Sequence, residues 1–402
     1  MDEQTMTPVI AVLAYRRAPA LNRLLNALDA AHYPDDVQLI ISLEGGASPE
    51  VVALAKQFRS NKLNVKVLEH DRCLGLREHV LACGNLALEY GSVIVLEDDL
   101  LVDPFFYQYA SSALQYYDDA DLVAGIALYK HERNEYADLP FTPMGNGYST
   151  YLMQLACSWG QCWSKKQWLK FKEWYKGKDH AYLNAIEGLP LAAKNWPESS
   201  WKKYFHGFLI ETKRFFVYPY EAYSTNCSDE GGEHISNGTI FHQVSMGSPQ
   251  REFVRPIFVP VSNTEVLYDA YMEPIGDFVW RSLGLDAEKV EVDMQGIKPK
   301  KLLIRKQYTL TSKKSNNPIR AYEQSYKPPE MNMMFPVPDS KSMSWILAKS
   351  VDVKENKRII RSVESYSYYV GINLMSRTIF KMFVASASGV LLRAFLGRIG
   401  IK

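Results

Sequence analysis

Few cysteines, no long apolar run and almost no net charge mark this 402-residue chain. The five cysteines (Cys73, Cys83, Cys157, Cys162 and Cys227) are odd in number and include no CxxC pair. That pattern argues against a zinc ribbon or a disulfide scaffold, and a reducing compartment is the simplest expectation. No segment reaches the roughly 20 apolar residues that cross a bilayer. The opening MDEQTMTP carries two acids where a secretory signal carries basic residues, so the expected location is cytoplasmic. Lys and Arg number 46 against 45 Asp and Glu, a net charge of +1, which gives no general reason to expect nucleic-acid binding. With only 23 Gly and 20 Pro and no internal repeat, the chain is neither collagen-like nor low-complexity. What is present is 47% hydrophobic residues, ample for a large core shared by two or three units.

From the N-terminus, short β-rich runs alternate with helical patterns. Strands are expected at Val9 to Ala14, Val37 to Leu43, Val65 to Leu68, Val93 to Leu96 and Leu122 to Leu128. Helices are expected after Pro19, over Pro49 to Phe58, over Leu76 to Glu89 and over Pro104 to Tyr117. Strands separated by single helices imply βαβ crossovers and a mostly parallel, Rossmann-like sheet flanked by helices. Ligands of such sheets sit at the carboxyl ends of the strands, here after Ala14, Leu43, Leu68 and Leu96.

Glu97-Asp98-Asp99 directly follows the fourth buried run. Three adjacent carboxylates at the open end of a central strand are costly without a cation. Magnesium or manganese, hard ions that take oxygen ligands, are the natural occupants. Such an ion bridges two phosphates and neutralises a departing diphosphate. The competing reading is a solvated acidic loop in which Asp103 caps the next helix.

These segments, in order, carry a family resemblance: Pro8 to Arg17, Ile40 to Glu44, His70-Asp-Arg-Cys-Leu-Gly75, Val93 to Leu100 with Asp103-Pro-Phe-Phe106, Ser158-Trp-Gly-Gln-Cys-Trp163 and Asn226-Cys-Ser-Asp-Glu-Gly-Gly-Glu-His234. Together they resemble the catalytic domain of GT-A fold glycosyltransferases. The likeness is to bacterial sugar transferases of the large inverting family 2 type, and the segments are also similar to Golgi N-acetylglucosaminyltransferase I. The resemblance implies an α/β GT-A domain over residues 1–242, with a nucleotide-sugar half at 1–128 and an acceptor half at 129–242. Residues 243–375 are expected to form a linker and accessory region, and 376–402 a C-terminal helical extension.

The resemblance also implies roles. Arg16 and Arg17 fall in the loop that binds the nucleotide, Glu44 at an acidic position that contacts the base, and Arg72 near the ribose and phosphates. Asp99 matches the metal-contacting aspartate, Asp98 and Glu97 hold sugar or ribose with Asp98 also near the metal, and His234 is a further metal ligand. Trp159 and Trp163, four apart, are expected on one helix face, where they stack on a sugar or fill the core. Gly160 permits close approach of the backbone to the donor. Inverting transfer needs a general base. Lys202 and Lys203 stand where the Golgi relative carries acids, so Glu198 is the first candidate and Asp229 the second.

The implied activity is metal-dependent (Mn2+ or Mg2+), inverting transfer from a UDP-sugar to a glycan or lipid-linked acceptor, in bacterial surface polysaccharide synthesis. A nucleotidyltransferase is the first alternative, although Ala14-Tyr-Arg-Arg-Ala-Pro19 lacks the Gly-rich phosphate loop of that class. A non-catalytic scaffold is the second. Near-neutrality is the sum of two unlike parts: residues 1–242 hold 22 basic and 30 acidic residues, residues 243–402 hold 24 and 15. In 376–402, Ile379, Phe383, Ala387, Val390 and Leu391 recur at helical spacing among basic residues. A basic amphipathic helix lying on the inner face of the plasma membrane, or a helix packed on protein, both fit this pattern.

Overall fold

A computed structural model describes residues 6–229, 242–336 and 344–355. The proposed C-terminal helix lies outside the described residues, as does His234. The first half follows the expected alternation: β1 (Val9–Ala14), α1 (Ala18–Ala30), β2 (Val37–Leu43), α2 (Pro49–Gln57), β3 (Leu63–Glu69), α3 (Leu76–Tyr90) and β4 (Ser92–Glu97). Then come β5 (Leu100–Val102), α4 (Phe106–Tyr117), β6 (Val123–Ala127), β7 (Thr150–Met153), β8 (Gln161–Ser164) and α5 (Lys165–Tyr175). Three more helices, α6 (His180–Ala185), α7 (Leu191–Lys194) and α8 (Trp201–Thr212), precede β9 (Phe215–Pro219) and β10 (Ser224–Asn226).

The main sheet has the order β11-β7-β9-β6-β8-β4-β1-β2-β3, where β11 is Leu267–Tyr268. β3, β2, β1 and β4 are mutually parallel. Every residue of β1 is buried, as expected of a central strand covered on both faces. Its side chains alternate between two cores: Val9, Ala11 and Leu13 enter one, Ile10, Val12 and Ala14 the other. Leu21, Leu24, Leu25 and Leu28 of α1, spaced at helical intervals, close the second core. The α/β class and the mostly parallel sheet agree with the expectation.

Two local expectations are corrected. The Trp159–Trp163 segment is not helical. Gly160 sits at φ +94°, and Gln161–Ser164 pairs antiparallel with both β4 and β6, inserting a strand between them. The helix begins only at Lys165, where Ser164 and Gln167 cap its end reciprocally. Trp163 is fully buried core, so it faces no ligand. Helix α4 likewise starts two residues after Pro104, because the Asp103 carboxylate accepts the Phe105 N–H at 2.8 Å and holds a turn first.

Beyond β11, helix α9 (Asp277–Leu283) leads to a second sheet of β12 (Val290–Asp293), β13 (Tyr308–Thr311), β15 (Trp345–Lys349) and β14 (Pro318–Tyr322), in that order. Its inward residues Val290, Val292, Leu310, Trp345 and Leu347 belong to the same core as one face of the main sheet. The basic stretches here are internal clamps. Lys298 is 2% exposed, with Nζ 2.5 Å from both Asp269 and Glu291, and Lys300 Nζ donates to the Ser350 carbonyl at 2.6 Å.

Candidate active site

The open edge of the parallel strands gathers most of the expected residues. β1 ends in the turn that carries Arg16 and Arg17, and β4 ends in Glu97, Asp98 and Asp99. Arg17 bridges the two aspartates: its Nη1 donates to Asp99 Oδ2 at 3.0 Å and its Nη2 donates to Asp98 Oδ1. Both carboxylates are buried, at 4% and 7% exposure. Burial pushes the Asp98 carboxyl up to about 6 despite the guanidinium, with the Asp99 charge adding to the rise. Asp99 Oδ1 is buried and has no hydrogen-bond partner among the described residues.

The strand pair β5–β10 sets a loop beside this acid pair. Asn226 registers against Leu100, and the Cys227 N–H donates to the Asp99 carbonyl at 2.9 Å. Asp229 follows, locked in a two-pronged pair with Arg23 of α1 at 2.9 and 2.5 Å. Arg23 holds the Asp229 carboxyl below its ordinary value through the hydrogen-bonded pair. Asp229 therefore belongs to the site, but as a locked ion pair.

Glu44 directly follows β2. Its Oε1 accepts the N–H groups of Gly45 at 3.0 Å and Leu74 at 2.6 Å, and its Oε2 accepts that of Gly75 at 3.0 Å. The carboxylate is 5% exposed and turned onto the 70–75 loop, so it shapes the site wall where a base contact had been expected. Gly45 makes this possible: a Cβ there would lie 2.0 Å from the Arg72 carbonyl carbon. Arg72 is exposed on that loop, and Arg16 is exposed with its guanidinium 4.3 Å from the Tyr15 ring centre. Glu97 is half-buried at the end of β4.

Glu198 does not join this cluster. It is exposed, 3.7 Å from Arg77 of α3, which also donates to the Glu198 carbonyl and the Tyr204 hydroxyl. The position before α8 leaves the carboxylate in solvent. Lys202, one residue into α8, points instead into a second cluster, with Nζ 2.6 and 2.8 Å from the two carboxylate oxygens of Glu135. Trp159 lies here, half-buried, its ring 4.7 Å from Tyr129, 4.8 Å from His242 and 5.3 Å from Lys202 Nζ. Gly160 fits tightly beneath, since a Cβ would lie 2.9 Å from Ser224 Oγ, which itself donates to the Trp159 carbonyl at 2.6 Å.

Sequence reading missed Arg23, Glu135, His131 and His242. Arg23 stands between the apolar positions Leu21 and Leu24 of α1, and no spacing tied it to Asp229, 206 positions on. Glu135 sits in an irregular stretch with no periodicity, 67 residues from its lysine, and left no signal.

Among the described residues, no group of three His, Cys, Asp or Glu side chains is assembled as a metal site. The donor chemistry still suits a hard divalent ion, because magnesium and manganese are commonly held by one or two carboxylates plus substrate phosphates, and Asp99 offers an orphaned buried oxygen.

No protein-family model matches the chain, and no curated protein does. Among solved structures, the chain is similar to S. aureus TarS residues 1–349 in complex with UDP-GlcNAc, at 15% identity and TM-score 0.37, covering 57% of this chain and 61% of that one. It is also similar to the mannosyltransferase PcManGT from Pyrobaculum calidifontis in complex with GDP-Man and Mn2+, at 12% identity and TM-score 0.32, covering 44% and 48%. A third is GalNAc-T7 with UDP, GalNAc and Mn2+, at 12% identity and TM-score 0.35, covering 55% and 43%. The chain spans about three fifths of the TarS structure's length. The expected similarity to the Golgi N-acetylglucosaminyltransferase rests on the sequence motifs alone.

Proposed function

We propose that this chain is a glycosyltransferase of the GT-A type that moves a sugar, with inversion, from a UDP-sugar to a glycan or lipid-linked acceptor in bacterial surface polysaccharide synthesis. The observation that carries the reading is the buried Asp98–Asp99 pair at the carboxyl end of β4, bridged by Arg17 and left with one orphaned oxygen. Two desolvated carboxylates joined to one guanidinium, with one oxygen left unpaired, are costly in a fold and are the arrangement that a site for a diphosphate with its counter-ion uses.

Asp99 would hold a Mn2+ or Mg2+ ion, with Asp98 close by, and such an ion supplies a positive charge for the leaving diphosphate. Arg17 is the residue that must move, because it occupies both carboxylates. Once released, its guanidinium is suited to forked contacts with phosphate oxygens, alongside the exposed Arg16 and Arg72. Glu44 keeps the 70–75 loop in place through three backbone hydrogen bonds. Trp159 offers an aromatic face on the acceptor side, and Gly160 allows close approach there. A peripheral contact of 376–402 with the inner membrane face is part of the same proposal, supported by the basic amphipathic pattern. Vesicle pelleting of the full chain against a chain ending at Ser376 tests it: equal binding of anionic vesicles by both would exclude it.

One observation favours a non-catalytic scaffold: the first turn of α8 carries Lys202 and Lys203, both buried, where the Golgi relative carries acids. A panel of UDP- and GDP-sugars incubated with Mn2+, with free nucleotide as the readout, separates the two. Release of UDP by the wild type and not by Asp99→Asn supports the transferase. Nucleotide binding without turnover on any donor or glycan acceptor favours the scaffold.

A further inference from the structure

Resting on the glycosyl-transfer reading, we infer that Glu135, carried by the loop between β6 and β7 and held against Lys202, is the carboxylate that takes the proton from the acceptor hydroxyl. The two sequence candidates stand elsewhere: Asp229 is paired with Arg23 of α1 and Glu198 lies in solvent beside Arg77 of α3, and neither meets Lys202.

Four observations converge on Glu135. First, its carboxylate is 14% exposed, so it is largely desolvated yet reachable. Second, Lys202 donates to both oxygens, and each oxygen keeps a lone pair for one more donor. The lysine at the start of α8 thus carries, on a neighbouring loop, the acid that the helix itself lacks. Third, the buried His131 Nε2 lies 3.7 Å from Glu135 Oε1 and has no hydrogen-bond partner among the described residues. Fourth, Trp159 and Trp196 flank the Lys202 ammonium at 5.3 and 5.4 Å, and both rings are only half-buried, a surface on which a sugar ring can stack.

The cluster also adjoins the donor site. Ser224 of β10 bonds the Trp159 carbonyl, and the same strand leads to Cys227 on the Asp99 carbonyl. His242, its ring centre 4.8 Å from that of Trp159, lies close enough to both Glu135 and Asp99 to interact with the two charges. In the step itself, the acceptor oxygen forms a bond to the anomeric carbon as its O–H proton passes to a Glu135 oxygen. The bond from that carbon to the diphosphate oxygen breaks, and its electron pair leaves with the nucleotide. Protonated Glu135 then returns its proton to water.

An anion that carries no proton bypasses a general base, which gives a decisive test on the full-length protein. The donor is whichever of UDP-GlcNAc, UDP-GalNAc, UDP-glucose or UDP-galactose the wild type hydrolyses with Mn2+, and sodium azide is the second nucleophile. Glu135→Ala should lose hydrolysis by about 100-fold or more, bind UDP within about twofold of wild type on the same scale, and form the glycosyl azide at close to the wild-type turnover. Unchanged hydrolysis would overturn the assignment. So would a loss that azide does not restore while UDP binding persists, because that pattern marks a merely structural ion pair. If the single variant fails to fold with Lys202 left unpaired, Glu135→Gln combined with Lys202→Met removes both charges and must show the same azide dependence. A wild-type protein that neither binds nor consumes any donor would refute glycosyl transfer itself, and the role of Glu135 with it.

Discussion

Arg17 is the residue on which the donor side turns. It neutralises Asp98 and Asp99 in the nucleotide-free state, and a divalent ion would compete with it for the same oxygens. Arg17→Ala should therefore lower the melting temperature in metal-free buffer, and Mn2+ should recover more of it than Mn2+ adds to the wild type. A metal-induced shift no larger in the variant than in the wild type would count against a cation at Asp99. Glu44 makes a different kind of contribution. Replacing its carboxylate by an amide puts a donor against one of three N–H groups, so Glu44→Gln should cost about 1–3 kcal/mol in urea denaturation and weaken nucleotide binding by loosening the 70–75 loop. That a residue is acidic and follows a strand was legible in the sequence. Which way its oxygens face was not, because the partners are backbone groups some thirty positions away.

The parallel core was readable at the level of elements because β1, β2 and β4 are largely continuous apolar runs, the signature of strands covered on both faces, while the edge strand β3, with Asn64 and Lys66, is mostly exposed or half-buried. Bounds matched at β1 and β2 to the residue. The Trp159–Trp163 segment was misread as helical because a spacing of four also fits a strand entered through a left-handed glycine. Pairing with β4 and β6 decided the matter, and no local pattern announces that pairing. Close backbone approaches at the turns are the testable part. Gly45→Ala pushes a methyl into the Arg72 backbone and should destabilise by about 1–3 kcal/mol, with loss of nucleotide binding exceeding any loss at a surface site. Gly160→Ala faces both φ +94° and Ser224 Oγ and should cost a similar amount, about 1–3 kcal/mol by chemical denaturation. The second sheet was not foreseen, since its strands are short and separated by Lys- and Pro-rich stretches that read as linkers. Two of those lysines, Lys298 and Lys313, are buried partners of Asp269, Glu291 and Asp293.

At the scale of the whole molecule, one face of the main sheet and the second sheet share one continuous core. Buried histidines near the junction tie stability to pH. Burial pushes His131 down to about 4 and His206 down to about 3, from an ordinary 6.5, so both are neutral when folded. Unfolding below pH 6.5 lets each take up a proton, so the stability each contributes is complete above 6.5 and is lost progressively as pH falls toward about 4. The loss is at most about 1.4 kcal/mol per pH unit for each histidine. Denaturation midpoints measured from pH 7.5 to 5 should fall more steeply for the wild type than for His206→Gln. Equal slopes would show that His206 ionises freely in the folded state. The central claim is that the carboxyl ends of β1 and β4 form a nucleotide-sugar site built on Asp99. Titration calorimetry with UDP-sugars and GDP-mannose in Mn2+ tests it most directly: the wild type should bind at least one donor and Asp99→Asn should bind it at least about tenfold more weakly, whereas equal affinity for both proteins, or no binding by either, would contradict the account.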